Sequence, residues 1–160
     1  MKAMVEIRKL LESEFEALRK ANIQTAKLGF SQIKKVAIQE AEEFSERQVN
    51  QELKEARASD NNYFMAIVLK QSNEVIGSLW YRKPKEAFFE DVAFLAWFGI
   101  YTPYQNKGYG KQAMELLIRK IKNEGFSRIA LDVFNTNTPA WSLYKSCGFE
   151  PARTVMHKYL

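Results

Sequence analysis

The feature that most constrains this chain is a junction. The apolar run over residues 92–101 leads through Thr102-Pro-Tyr-Gln105-Asn106-Lys107-Gly108-Tyr109-Gly110-Lys111 into a stretch whose apolar residues Ala113, Leu116, Leu117 and Ile121 recur at helical spacing. A run that is apolar at nearly every position suits a central strand buried on both faces, so the junction reads as strand, glycine turn, helix. The first N–H groups of a helix have no intrahelical partner, and the helix dipole puts partial positive charge there. Glycines at 108 and 110 admit unusual backbone angles and keep Cβ atoms out of the way, and Lys107 and Lys111 add cations. The turn is therefore suited to binding phosphate through the main chain. A Gly-x-Gly turn alone is a weak signal; an ordinary strand-to-helix loop explains it about as well.

The flanking segments complete an α/β pattern. Residues 5–10 read as a first strand. Ser13 with Glu16 three positions later suits a capping box opening a helix that ends near Gly29. A second helix is expected over residues 31–58, with Ile33, Val36, Ala37, Ala41 and Phe44 inward. Residues 63–70 and 75–81 form a hairpin about the turn at 71–74, and residues 82–86, with Pro84, make a charged loop. After the glycine turn come a helix closed by Gly125, a strand over 128–134, a helix opened by Thr138-Pro139 and closed by Gly148, and a last strand over 154–160. One α/β domain over residues 1–160 is expected, with a mixed, mainly antiparallel sheet.

Composition narrows the class. In 160 residues, 46% apolar and 13% aromatic, the chain can bury about two-thirds of its unfolded surface without disulfides. No run approaches the roughly 20 apolar residues of a membrane span, and the opening MKAMVEIRKL lacks a signal-peptide core. No membrane association and a cytoplasmic location are expected. Cys147, the single thiol, excludes a cysteine-based metal cluster, and no metal is expected. The net charge of +5 lies in the later part: residues 1–60 carry 11 basic against 11 acidic residues, residues 61–160 carry 13 against 8. That bias suits a small anionic ligand. Nucleic acid is a lesser reading, since no base-reading motif is present.

Two segments together resemble the GNAT superfamily of N-acetyltransferases. Ile100, Gln105, Gly108 and Gly110 reproduce the spacing of its cofactor loop, with Ile where Val is commoner, and Asn137-Thr-Pro-Ala140-Trp-Ser-Leu143-Tyr144-Lys-Ser-Cys-Gly148-Phe149 matches its second signature. The motifs are specific over residues 75–160; before that only the order of elements agrees. Short members from bacteria are the most similar in pattern. The resemblance implies a GNAT-like sheet of about six to seven strands flanked by about four helices, with acetyl-CoA as donor in a cleft between two splayed strands. It further implies that the backbone of Phe98, Gly99 and Ile100 meets the pantetheine arm and that the amides of Gln105, Asn106, Lys107, Gly108, Tyr109, Gly110 and Lys111 hold the pyrophosphate. Asn137 would bond to the same arm, and Tyr144 would sit beside the thioester sulfur.

The chemistry implied is acetyl transfer to a primary amine by direct attack in a ternary complex. The amine must lose a proton, since near pKa 10 it is mostly charged at neutral pH. Tyr144 can protonate the departing thiolate, because a phenol is neutral at pH 7; a buried core tyrosine is the commoner fate of such residues, but its place within the Asn137–Phe149 signature favours the cleft role. The base departs from the family pattern, as no carboxylate lies between Val92 and Tyr101. Water-mediated deprotonation ranks first, Glu90 or Asp91 at the strand's entrance second, and His157 third. Trp80, Tyr81, Trp97, Tyr101 and Trp141 could line an acceptor pocket or simply pack. A non-catalytic acyl-CoA sensor is the competing reading. The acceptor, a small-molecule or peptide amine, is not legible, and a homodimer stays open.

Overall fold

The structure, a computed structural model, describes residues 4–83 and 91–160. Glu90 lies outside the described residues, as does most of the charged loop read at 82–86. Among the described residues no helix is long and apolar enough to cross a membrane.

The elements are β1 (Val5–Lys9), α1 (Phe15–Lys34), α2 (Ile38–Arg57), β2 (Asn62–Leu69), β3 (Val75–Arg82), β4 (Val92–Ile100), α3 (Tyr109–Asn123), β5 (Arg128–Leu131) and α4 (Thr138–Ser146). The strands form one sheet in the order β1-β2-β3-β4-β5; the first four are antiparallel and β4 runs parallel to β5. Helices cover both faces. On one, Val5, Ile67, Leu79, Tyr81, Ala93 and Leu95 pack with Ala113, Met114, Leu117 and Ile121 of α3. On the other, Ala66, Val68, Trp80 and Trp97 pack with Leu18, Ile23, Val49, Leu53 and Ala56 of α1 and α2. Each of the larger side chains contributes roughly 1.5–3 kcal/mol on burial, so these two cores outweigh the local capping effects below.

Among the described residues the sheet has five strands, not six to seven. Residues 154–160, read as a last strand, have no regular secondary structure and are exposed, and β5 stops at Leu131 rather than 134. Alternation in sequence makes a strand available; it becomes one only where a neighbour takes its hydrogen bonds.

The first helix also differs. Ser13 is not its cap: a 3-10 turn over Glu12–Glu14 precedes α1, and the carboxylate of Glu14 accepts the Leu11 N–H at 2.8 Å while pairing with Arg8 at 2.7 and 2.9 Å. Nor does Gly29 end it. A Cβ there would lie 2.4 Å from the Phe134 ring, so the glycine is in mid-helix to let α1 approach the segment after β5. The true end is Lys35, left-handed at φ 53°, where the Ser31 hydroxyl donates to the Val36 carbonyl at 2.7 Å. The second helix accordingly begins at Ile38, not 31.

Candidate active site

The two halves of β4 have different neighbours. From Val92 to Leu95 it pairs with β5, with Leu95 opposite Leu131 as the last pair, and Phe94 and Leu95 pair with β3 on the other side as well. Beyond that β5 has ended, while β3 continues to pair as far as Ile100 opposite Gly77. A bulge marks the change, since Trp80 faces Trp97 and Tyr81 faces Leu95, leaving Ala96 as the extra residue. The Tyr101 N–H donates to the Ile76 carbonyl at 2.8 Å, toward β3. Backbone groups alternate along a strand, so Phe98 and Ile100 turn theirs toward the open side, between β4 and the space beyond β5.

The turn that follows is built so that its amides stay free. Thr102–Tyr104 forms a 3-10 turn, with Pro103 in its opening positions. The Gln105 N–H donates to the Thr102 carbonyl at 3.3 Å and its side-chain amide donates to the Ile100 carbonyl at 2.8 Å. Gln105 therefore braces the turn, tying it to the end of β4. Asn106 and Gly108 are both left-handed, at φ 61° and 80°. Gly108 is the N-cap of α3, where a side chain would be strained, and no side chain caps that helix. Among the described residues, the N–H groups of Asn106, Lys107, Gly108, Tyr109, Gly110 and Lys111 have no acceptor. Six unpartnered donors at a helix start, beside the exposed Lys107 and Lys111, have the chemistry that suits an anion.

Packing joins this turn to α4. A Cβ on Gly110 would stand 3.5 Å from Leu143 and 3.7 Å from Ile100, so β4's end, the turn and α4 are in contact. The cap of α4 is Asn137 rather than Thr138: its Oδ1 accepts the Ala140 N–H at 3.3 Å, with Thr138 and Pro139 the first helical residues. The Asn137 side-chain NH2 has no acceptor among the described residues. Tyr144, next to Leu143, packs against the α3-side core with its ring 5.6 Å from that of Phe149. Its hydroxyl makes no hydrogen bond among the described residues, and burial pushes the phenol up to about 12. It is thus a neutral O–H donor at pH 7.

The other candidates lie elsewhere. Asp91 immediately precedes β4, roughly 23 Å of extended strand from Phe98. It accepts from the Ser127 hydroxyl at 2.5 Å and from Arg128 at 3.2 and 3.3 Å, and these partners, Ser127 foremost, hold its carboxyl below the usual range. His157 lies in the exposed segment after α4. Trp80 and Tyr81 are core residues; the Trp80 indole donates to Asn62 at 2.8 Å and the Tyr81 phenol donates to Glu124 at 2.9 and 3.0 Å. Trp141 is half-buried, with Lys145 5.5 Å over its ring.

One grouping has no sequence signal. Ser78, fully buried on β3, accepts from the Trp97 indole at 3.0 Å and from the Tyr101 hydroxyl at 3.2 Å. Of the five aromatics, Trp97 and Tyr101 are therefore fixed together on the α1–α2 face of β4's open half. Only the strand register, which puts Ser78 opposite Gly99, brings these three together. No group of three or more His, Cys, Asp or Glu suited to a metal occurs among the described residues.

Comparison with known proteins agrees with this geometry. The profile of the acetyltransferase (GNAT) family matches residues 9–149. A Bacillus subtilis (strain 168) protein named the uncharacterized N-acetyltransferase YdgE is 32% identical over 152 residues, covering 94% of this chain and 95% of that protein. The uncharacterized N-acetyltransferase YycN of the same strain is 36% identical over 88 residues, a stretch spanning 54% of this chain and 55% of YycN. The crystal structure of YycN superimposes with a TM-score of 0.84 at 24% identity, covering 98% of each chain. The PaiA N-acetyltransferase from Thermoplasma acidophilum, solved in complex with coenzyme A, superimposes with a TM-score of 0.72 at 19% identity, over 94% of this chain and 92% of that one. With the family profile spanning nearly the whole chain, and the strand, turn and helix that carry the motifs in contact, this protein belongs to the acetyltransferase (GNAT) family.

Proposed function

We propose that the protein is an acetyl-CoA-dependent N-acetyltransferase that acts on a primary amine by direct transfer in a ternary complex. The observation that carries the reading is the juxtaposition at β4's open half: the outward backbone of Phe98 and the outward N–H of Ile100, six unpartnered amides from Asn106 to Lys111, and the unpaired Tyr144 hydroxyl, joined through Gly110 and Leu143. These groups fit the parts of acetyl-CoA. Unpartnered amides with Lys107 and Lys111 suit a diphosphate, and an open strand edge with the free NH2 of Asn137 suits a chain of secondary amides. When bound, acetyl-CoA supplies an acyl thioester.

The chain's own residues then have distinct tasks. Backbone N–H groups at the bulge and beyond it can stabilise negative charge developing on a carbonyl oxygen. Tyr144 holds a proton at Oη, in a buried setting that keeps it there at neutral pH, and can give it to a departing thiolate. Removal of the amine's proton falls to water, since Asp91 is held by Ser127 and Arg128 at the far end of β4; Glu90 remains the alternative carboxylate.

The lack of a carboxylate along β4 supports a second reading, a non-catalytic acyl-CoA-binding protein. One experiment separates them. Release of free CoA is followed with a panel of primary amines, for the wild type and for Tyr144→Phe. The enzyme reading expects turnover that falls by about 10²-fold or more in the variant, with the Kd for CoA unchanged. Thermal protection by acetyl-CoA without turnover on any amine would leave the sensor reading; no protection at all would sink both.

A further inference from the structure

Resting on the reading of the protein as an N-acetyltransferase, we infer that the acceptor amine enters on the α1–α2 face of β4's open half and is held there by the Tyr101 hydroxyl oxygen, with Ser78 positioning Tyr101. Alternate residues of a strand share a face, so Trp97 and Gly99 of β4 and Tyr101 just after it lie in one line, and Ser78 stands opposite the middle one. Both aromatic side chains bend toward that point. A Cβ at residue 99 would lie 2.4 Å from the Trp97 ring, so glycine leaves the room in which the ring lies across the strand. The Trp97 indole then donates to the Ser78 hydroxyl oxygen at 3.0 Å, and the Tyr101 hydroxyl donates to the same oxygen at 3.2 Å. An indole N–H can only donate and a hydroxyl oxygen has two lone pairs, so both lone pairs of the fully buried Ser78 are taken.

The consequence falls on Tyr101. Its proton is committed inward to Ser78, while among the described residues no donor reaches its own oxygen. Burial pushes the phenol up against the opposing pull of Ser78, so it keeps that proton at neutral pH. Half-buried Tyr101 therefore presents an unfilled acceptor beside Phe98 and Gly99, whereas Tyr144, packed on the α3 side, presents an unused donor. Direct transfer asks for this asymmetry. The incoming amine has N–H groups that need an acceptor, and the departing sulfur needs a proton. As the N–C bond forms and the C–S bond breaks, the electron pair goes to sulfur, which takes the Tyr144 proton. The amine's surplus protons pass to water, water restores the proton of Tyr144, and Tyr101 neither gains nor loses one.

The test uses the full chain and a panel of primary amines: hexylamine, phenethylamine, diaminobutane and glycinamide. Tyr101→Phe keeps the ring and removes the oxygen; it is expected to raise the KM for the amine about tenfold with the Kd for CoA unchanged. Ser78→Ala is expected to raise the same KM, yet to add nothing in the Tyr101→Phe background, because it acts through that oxygen. In NMR spectra of the CoA-bound protein, an amine that is turned over is expected to shift the indole N–H signal of Trp97 and not that of Trp80, which Asn62 holds. Three results would each overturn the inference: an amine KM in Tyr101→Phe within about twofold of the wild type, effects of the two substitutions that multiply, or a Trp97 signal that no amine moves. Any of these with wild-type turnover intact removes this inference alone, whereas a wild type that turns over none of the amines removes it together with the enzyme reading. Tyr101→Phe and the wild-type spectra decide even if Ser78→Ala folds poorly.

Discussion

The two halves of β4 are similar as sequence and opposite as structure. Residues 92–95 pair with β5, Phe94 and Leu95 with β3 as well, and Ala93 and Leu95 pack under α3; residues 96–100 have no partner on the β5 side. Both halves are apolar, so hydrophobic patterning cannot tell them apart. What separates them is the length of a neighbour: β5 has four residues, and where it ends a bulge turns β4 and exposes a backbone edge beside the glycine turn. The closed half is packed into the core, and the open half presents backbone donors and acceptors that the sheet leaves unpaired.

Substitutions can break that contrast. Leu117→Ala, which hollows the core beneath Ala93 and Leu95, is expected to cost about 3 kcal/mol in denaturant unfolding while leaving CoA affinity per folded molecule unchanged. Gly108→Ala should behave in the opposite sense. Nothing lies within 4 Å of the new Cβ, so its cost is backbone strain at φ 80°, about 1 kcal/mol in the same measurement. Its calorimetric affinity for CoA should fall, by about tenfold, because the amides that follow would be displaced.

A pH scan sharpens the same comparison. The Tyr144 phenol has its pKa raised from 10 to about 12 by burial, so the folded state holds its proton more tightly than the unfolded state does. That contribution is fully present below pH 10 and is lost as pH rises toward 12, a loss that should be missing from the alkaline melting curve of Tyr144→Phe. The smallest effect is expected at the closed end. Asp91→Asn should leave kcat within about twofold of the wild type, because its carboxylate serves Ser127 and Arg128; a drop of 10²-fold would instead make it the base.

Much of this organisation was legible in the residues. The central strand, the glycine turn, the helix after it and the Asn137–Phe149 segment were found because their signals are local: an apolar run, paired glycines, a proline at a helix start. The failures have one physical origin, dependence on partners distant in the chain. Gly29 reads as a terminator until Phe134 is known to press against it. Ser13 and Glu16 make a plausible capping box, but Glu14 is drawn to Arg8 across the turn. Residues 154–160 carry strand-forming side chains such as Thr154, Val155 and Tyr159, and among the described residues no neighbouring strand takes them up. The grouping of Ser78, Trp97 and Tyr101 depends on register, and register is set by the whole sheet. The base was not legible because the strand that would carry it has no carboxylate.

The central claim is that β4's open half and the amides of residues 106–111 together hold coenzyme A. Residue-resolved hydrogen exchange with and without CoA tests it most directly. The account predicts slowed exchange at Phe98, at Ile100 and across residues 106–111, with no change at residues 92–95. Uniform protection of both halves, or CoA binding that leaves the turn amides exchanging freely, would contradict it.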